Sequence, residues 1–217
     1  MNMSKDVVYL DNNATTRVAP EVLDTMLPFL TDFYGNASSI HRFGGQVHKP
    51  IDEAREQLAN LLGALPEEIV FTSCGTESDN AAILSALEND VSRRTIVTTR
   101  VEHPAILGLC SVLQERGYHI EYCPVNGKGM LCLDRICEMI DEQTAIVSVM
   151  WANNETGNIY PAINLADIAH ERGALFHTDA VQAVGKVPID LAKTNIDFLS
   201  LSGHKLHAPK GVGALYI

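Results

Sequence analysis

From about residue 66 to the end, the sequence alternates short apolar runs with longer stretches of helical spacing, and few folds accommodate that pattern. The runs are Ile69–Ser73, Thr95–Thr99, Ile120–Pro124, Ala145–Met150, Ala174–Thr178, Ile196–Leu201 and Val212–Ile217. Each is rich in Ile, Val or Phe, as strands buried on both faces are. Helix candidates lie between them. Pro104, suited to a first helical position, precedes Ile106, Leu107, Cys110 and Leu113, and Gly117 ends that stretch. Pro161 precedes Leu165, Ile168 and Ala169 in the same way, with Gly173 as the stop. Ahead of the first run, Val47, Ile51, Ala54, Leu58, Leu61 and Leu62 form an amphipathic stripe that Gly63 closes, with Pro50 leaving its first turn open. The alternation predicts an α/β chain built from crossover units, with seven strands in a mostly parallel sheet and helices on both faces. Only Ser202 to Gly211 separate the last two runs, too few residues for a helical crossover, so the seventh strand is expected to return antiparallel. Residues 1–18, with few apolar positions, read as an arm ahead of one large domain over 19–217.

Charge and cysteine content narrow the function. Lys and Arg number 16 against 27 Asp and Glu, a net charge of −11 that argues against a nucleic-acid partner. No basic stretch followed by an apolar one opens the chain, and no apolar run approaches the roughly 18 residues of a membrane span. The 5 cysteines are odd in number and lack a CxxC pair, which suggests free thiols in a reducing compartment. A soluble, cytoplasmic protein without nucleic-acid or membrane contacts is expected.

In open parallel sheets ligands bind beyond the carboxyl ends of the strands. The residues that follow each run are Cys74-Gly75-Thr76-Glu77, Glu102-His103-Pro104, Trp151 to Glu155, Asp179 to Gln182 and Ser202 to Lys205. Taken singly they have ordinary readings. Lys205 could be a solvated surface lysine, His103 a residue near a helix start, Asp179 or Thr76 a helix cap, and Asn153-Asn154 a turn. Together they fit one demanding ligand. Gly75 and Thr76 at a helix N-terminus suit a phosphate. A carboxylate at another strand end could hold a protonated ring nitrogen, an imidazole could stack on the ring, and a lysine could condense with an aldehyde. Phosphate, ring nitrogen and aldehyde together describe pyridoxal phosphate.

Six stretches then carry a family resemblance. They are Tyr9-Leu-Asp-Asn-Asn-Ala-Thr-Thr16, Asn36-Ala-Ser-Ser-Ile-His41, Phe71-Thr-Ser-Cys-Gly-Thr-Glu-Ser78, Asn153-Asn-Glu-Thr-Gly157, His177-Thr-Asp-Ala-Val-Gln182 and Ser202-Gly-His-Lys-Leu-His-Ala-Pro-Lys-Gly211. In this order they closely resemble the cysteine desulfurases of the NifS/IscS type, class V pyridoxal-phosphate enzymes, from Tyr9 to Ile217. The resemblance implies a fold-type I large domain with pyridoxal phosphate covalently bound to Lys205, which also shuttles the substrate proton. It implies that Asp179 pairs with the pyridine nitrogen, Gln182 faces the ring hydroxyl and His103 stacks on the ring. Gly75, Thr76, Ser202 and His204 would hold the phosphate, and Asn154 would lie beside the ring and the substrate carboxylate. The implied reaction takes sulfur from L-cysteine, leaving L-alanine and an enzyme persulfide for iron–sulfur cluster assembly. Implied partners are a second copy of the chain and sulfur-acceptor or scaffold proteins.

The resemblance also places the desulfurising cysteine, a substrate-gripping arginine and a C-terminal small domain downstream of Lys205, which lies 12 residues before Ile217. Cys74, Cys110, Cys123, Cys132 and Cys137 are read instead as buried structural thiols, without metal spacing. On that reading the chain holds the cofactor site but is inactive alone. Another class V lyase or aminotransferase, or a non-catalytic fragment, stays open at this point.

Overall fold

The computed structural model describes residues 8–217. Each of the seven apolar runs forms a strand: β1 Ile69–Thr72, β2 Thr95–Thr99, β3 His119–Cys123, β4 Thr144–Ser148, β5 Leu175–Asp179, β6 Phe198–Ser202 and β7 Gly213–Tyr216. They make one sheet in the order β1-β7-β6-β5-β4-β2-β3. β7 runs antiparallel to both its neighbours, and every other pairing is parallel, as the short final connection predicts. The helices are α1 Pro20–Thr31, α2 Arg42–Gly45, α3 His48–Leu62, α4 Gly75–Asn89, α5 Pro104–Glu115, α6 Leu133–Met139 and α7 Ala162–Glu171. Pro50 falls in the first turn of α3, where a missing N–H leaves no bond unmade, and Gly63 ends the helix in the left-handed region at φ 69°. Residues 8–19 lie ahead of α1 and contribute no strand.

The sheet buries both faces, and the strands show it with a period of two. Val97, Val147, Phe176 and Leu199 point toward Leu62 of α3, Ile136 of α6 and Leu165 of α7. Their neighbours Ile96, Ile146 and Phe198 point the other way, toward Ile83 and Ala86 of α4 and Ile106 and Cys110 of α5. The crossovers leave β2 toward β3 and β4 toward β5, so the strand order reverses between β2 and β4. That reversal opens a crevice at the carboxyl rim. Among the described residues no helix is long and apolar enough to cross a membrane, and no cluster of three or more His, Cys, Asp or Glu could hold a metal ion.

Two contacts brace this rim. Glu102, just beyond β2, is buried at 4% exposure. Its Oε1 accepts from Thr99 Oγ1 at 2.7 Å, and Met150 N–H donates to both carboxylate oxygens at 3.1 Å, tying the end of β2 to the segment after β4. Burial pushes the Glu102 carboxyl up to about 8 against those hydrogen bonds, with the nearby Asp79 charge adding to the rise. The second contact is Gly213, the first residue of β7. A Cβ there would meet the Cys74 backbone at 2.7 and 2.9 Å and Leu201 O at 2.9 Å. Only glycine lets β7 lie this close to the turn between β1 and α4.

Glu102 gives a pH dependence with a definite sign. Below the ordinary glutamate range the folded and unfolded chains are both protonated there. Between that range and about pH 8 the unfolded chain releases a proton that the folded chain keeps, so this contribution to stability is lost as pH rises. Glu102→Gln should flatten the decline relative to the parent by about 1–3 kcal/mol between pH 6 and 8, read from urea unfolding at both values. Parallel pH profiles for the two proteins would show that Glu102 is ionised throughout. Gly213→Ala should destabilise the chain by about 1–3 kcal/mol in the same assay, because backbone rather than a flexible side chain must give way.

Candidate active site

The crevice is a cavity of about 600 Å³ at the carboxyl rim. One wall is the turn from β1 into α4. Cys74 is extended there at φ −172°, and the helix begins at Gly75 without a side-chain cap. Thr76 is therefore in the first turn of α4 and is not its cap, so its hydroxyl is not engaged by the helix's own N–H groups. Gly75 packs beneath the loop after β5, since a Cβ would sit 2.9 Å from Val181 Cγ2 and 3.6 Å from Ser202 Cβ. Ser202, the buried last residue of β6, closes this end together with His204. A helix N-terminus, two hydroxyls and an imidazole thus meet at one place, and it is suited to an anion.

Asp179 ends β5 on the cavity floor at 6% exposure. Its Oδ1 accepts from Val181 N–H at 2.9 Å. Burial holds its carboxyl well above the carboxylate range, and the Asp79 charge pushes the same way, while the Val181 N–H and Lys205 oppose them. Lys205 follows β6 in the short 3-10 turn Gly203–Lys205. Its Nζ donates to the carbonyls of Asn13 and Ala14, the latter at 3.0 Å. Burial lowers the Lys205 ammonium from its ordinary value, Lys186 lowers it further, and Asp179 and Asp11 raise it. Burial, then Lys205 and Lys210, lower His204 as well.

The remaining walls come from the other strand ends. His103 caps α5, its Nδ1 accepting from Ala105 N–H at 3.1 Å, and its ring borders the cavity. Asn153 makes the turn after β4 by accepting from Glu155 N–H at 3.0 Å and Thr156 N–H at 2.9 Å, which leaves Asn154 to face the cavity. Gln182 donates to Asn13 O at 2.9 Å and accepts from Lys186 Nζ at 3.0 Å. All nine residues singled out from the sequence (Gly75, Thr76, His103, Asn154, Asp179, Gln182, Ser202, His204 and Lys205) line this single cavity.

Sequence reasoning missed three contributors. Asn13 and Ala14 enter because the stretch before α1 is bound across the rim: Thr16 N–H donates to His204 O, and Ala19 N–H to His207 O, each at 2.9 Å. Asp79 lies beside Asp179 on the cavity wall, and its signal was an acid set within the apolar stripe of Ala82, Ile83 and Ala86. The cysteines need a correction too. Cys110 and Cys123 are buried, but Cys74 and Cys137 are only partly covered and Cys132 is exposed. Cys132 occupies the position before α6, outside the stripe that packs on the sheet. Burial raises the Cys110 thiol to about 12, with Glu102 adding to it, and raises Cys123 and Cys137 in the same direction.

The chain is 56% identical over 211 residues to the cysteine desulfurase of Trichormus azollae, covering 97% of this chain and 53% of that protein. It is also 56% identical over 211 residues to cysteine desulfurase NifS of Azotobacter vinelandii, covering 97% of this chain and 52% of that one. The chain spans about half the length of the curated relatives it matches. A solved NifS-like protein superposes with a TM-score of 0.93 at 43% identity, over 97% of this chain and 58% of its own. The structure of SspA in complex with cysteine gives a TM-score of 0.92 at 37% identity, over 97% and 61%. The family model for aminotransferase class-V matches residues 8–217. With the seven-stranded sheet and the crevice at its switch point, this establishes that the chain belongs to the aminotransferase class-V family.

Proposed function

We propose that the cavity holds pyridoxal 5′-phosphate on Lys205 and serves a cysteine desulfurase reaction, removing sulfur from L-cysteine to leave L-alanine. The observation that carries this reading is that an anion-binding helix N-terminus, a buried acid, an imidazole and a lysine converge on one cavity of suitable volume. The donor set fits the cofactor. Gly75 N–H, Thr76, Ser202 and His204 would take the phosphate. Asp179, on the floor, would face the ring nitrogen, Gln182 the ring hydroxyl, and His103 the ring face. The SspA relative solved with cysteine supports a cysteine substrate, whose carboxylate Asn154 would hold beside the ring.

When bound, the cofactor supplies a conjugated ring that takes up the electron pair left as a bond to the substrate Cα breaks. The chain's own residues prepare the rest. Burial and Lys186 favour the neutral form of Lys205, which is the nucleophilic form and the one able to accept a proton. The Asn13 and Ala14 carbonyls hold its Nζ at the cavity. With the cofactor bound, the Lys205 amine would be the group to receive the substrate α-proton and return it. Asp179 would pair with the cofactor's ring nitrogen, and the His103 imidazole would serve a second proton transfer.

Sulfur abstraction also needs a mobile thiolate. Burial disfavours the thiolate at Cys110, Cys123 and Cys137, and Cys74 is fixed at a strand end, so none of these is proposed as the sulfur acceptor. Delivery of the sulfur to acceptor or scaffold proteins of iron–sulfur cluster assembly, and a cytoplasmic location, belong to the same proposal. A homodimer belongs to it as well, supported by α1, which has no buried residue and exposes Leu23, Leu27 and Leu30.

Two measurements test this reading. Thr76→Ala should weaken retention of pyridoxal phosphate in equilibrium dialysis by roughly 10- to 100-fold, the worth of one hydrogen bond to a charged group. Retention equal to the parent's would remove the phosphate role from Thr76. In the second, L-cysteine given to the 217-residue chain loaded with cofactor should yield no alanine by amino-acid analysis. Turnover that disappears in Cys74→Ser or Cys132→Ser would reassign the sulfur acceptor to that residue.

A further inference from the structure

Asp79 has no part in the scheme above, yet it is built into the site. It lies on α4 at 1% exposure, borders the cavity beside Asp179, and among the described residues its Oδ1 has no hydrogen-bond partner. The nearest group able to carry positive charge is His177, whose Nε2 is 3.5 Å from that oxygen. His177 is itself fully buried. Its Nδ1 is 2.9 Å from Ser148 Oγ on β4 and its Nε2 2.9 Å from Ser200 Oγ on β6, so the ring is clamped between the two neighbouring strands. Residues 177 and 179 lie two apart on β5, which puts both side chains on one face of the sheet. α4 covers that face. A buried carboxylate with no lysine or arginine beside it is costly, and a serine or asparagine would fill the same space at less cost. Stability does not account for it.

We propose that Asp79 is a positioning residue that works through Asp179: with His177 it forms a second buried layer behind the end of β5, and its charge sets the proton count that the cavity offers to a ring nitrogen. The inference rests on the pyridoxal-phosphate reading for the identity of that ring. A negative group behind Asp179 makes removal of a proton from the Asp179–ring nitrogen pair harder, because two close carboxylates resist ionising together. The effect on Asp179 agrees in direction, since the Asp79 charge raises its carboxyl. The other groups around Asp179 are Glu102 beyond β2, His103 at the start of α5, Lys205 and His204 beyond β6, and His177 on its own strand. Lys205 is the lysine among them, and burial draws its ammonium toward the neutral form.

The test separates this claim from the cofactor reading. In the unloaded chain labelled with ¹³C-aspartate, the Asp179 carboxyl, assigned by its loss in Asp179→Asn, is titrated by NMR in the parent, Asp79→Asn and Asp79→Glu. Asp79→Asn should lower the Asp179 midpoint by about one pH unit or more, the usual effect of a neighbouring like charge, and Asp79→Glu should restore it. An unchanged midpoint in an Asp79→Asn protein with parental circular dichroism would overturn the proposal. Should Asp79→Asn fail to fold, Asp79→Glu decides: a midpoint well below the parent's, despite a retained charge, would show that the coupling is not electrostatic and overturn it. In a second arm, ¹⁵N-labelled pyridoxal phosphate is bound and its ring nitrogen followed with pH. The nitrogen should lose its proton at lower pH in Asp79→Asn than in the parent, and identical titrations would overturn the proposal. A parent chain that takes up no cofactor would overturn the ring-nitrogen role and the cofactor reading together, and the unloaded titration would still show whether Asp79 governs Asp179.

Discussion

Parallel pairing of the strands is the constraint on which the rest depends. Because β1, β2, β4, β5 and β6 all run the same way, their carboxyl ends meet on one rim, and whatever polar residue follows each strand is delivered there. An antiparallel meander of the same strands would scatter those residues over two rims. The single antiparallel strand serves the same end. β7 begins at the rim, where Gly213 is paired with Thr72 on one side and Ser202 on the other, and so holds the end of β1 against the end of β6. Those two ends carry the residues that suit an anion.

Assembling polar groups at a buried rim has an electrostatic consequence. Asp79, Asp179 and Glu102 are all nearly inaccessible to water, and Asp179 and Glu102 are both pushed toward their protonated forms. The one lysine at the cavity edge is pushed toward its neutral form. A ligand carrying a phosphate dianion at one end and a protonated ring at the other would complement both ends of such a site. Binding of such a ligand to the folded state alone would stabilise the chain by mass action.

How far the sequence foretold this differs from residue to residue. The seven strands were legible because doubly buried strands need continuous apolar runs, and such runs stand out against amphipathic helices. The nine cavity residues were legible because strand-end position is a local property that a parallel sheet converts into proximity. Asp79 was not, and Glu102, although it follows a strand, gave no sign that it would be buried. An acid in an apolar stripe reads as an anomaly, but whether it is buried and what it faces depends on which helix crosses which strand. Asn13 escaped for a related reason: its carbonyl matters only because the segment before α1 is bound to His204 and His207, a contact some 190 residues away in sequence. The exposed thiol of Cys132 shows the opposite error, in which a residue read as buried lies just ahead of α6, off the face that packs on the sheet.

The curated relatives are about twice as long as this chain. On the proposed reading the rim is a pyridoxal-phosphate site with Lys205 as its covalent anchor. Incubation with pyridoxal phosphate, reduction with borohydride and peptide mapping by mass spectrometry tests it most directly. A stoichiometric pyridoxyl adduct on Lys205, lost in Lys205→Ala, is the predicted result. Labelling of Lys186 or Lys210 with Lys205 unmodified would contradict it.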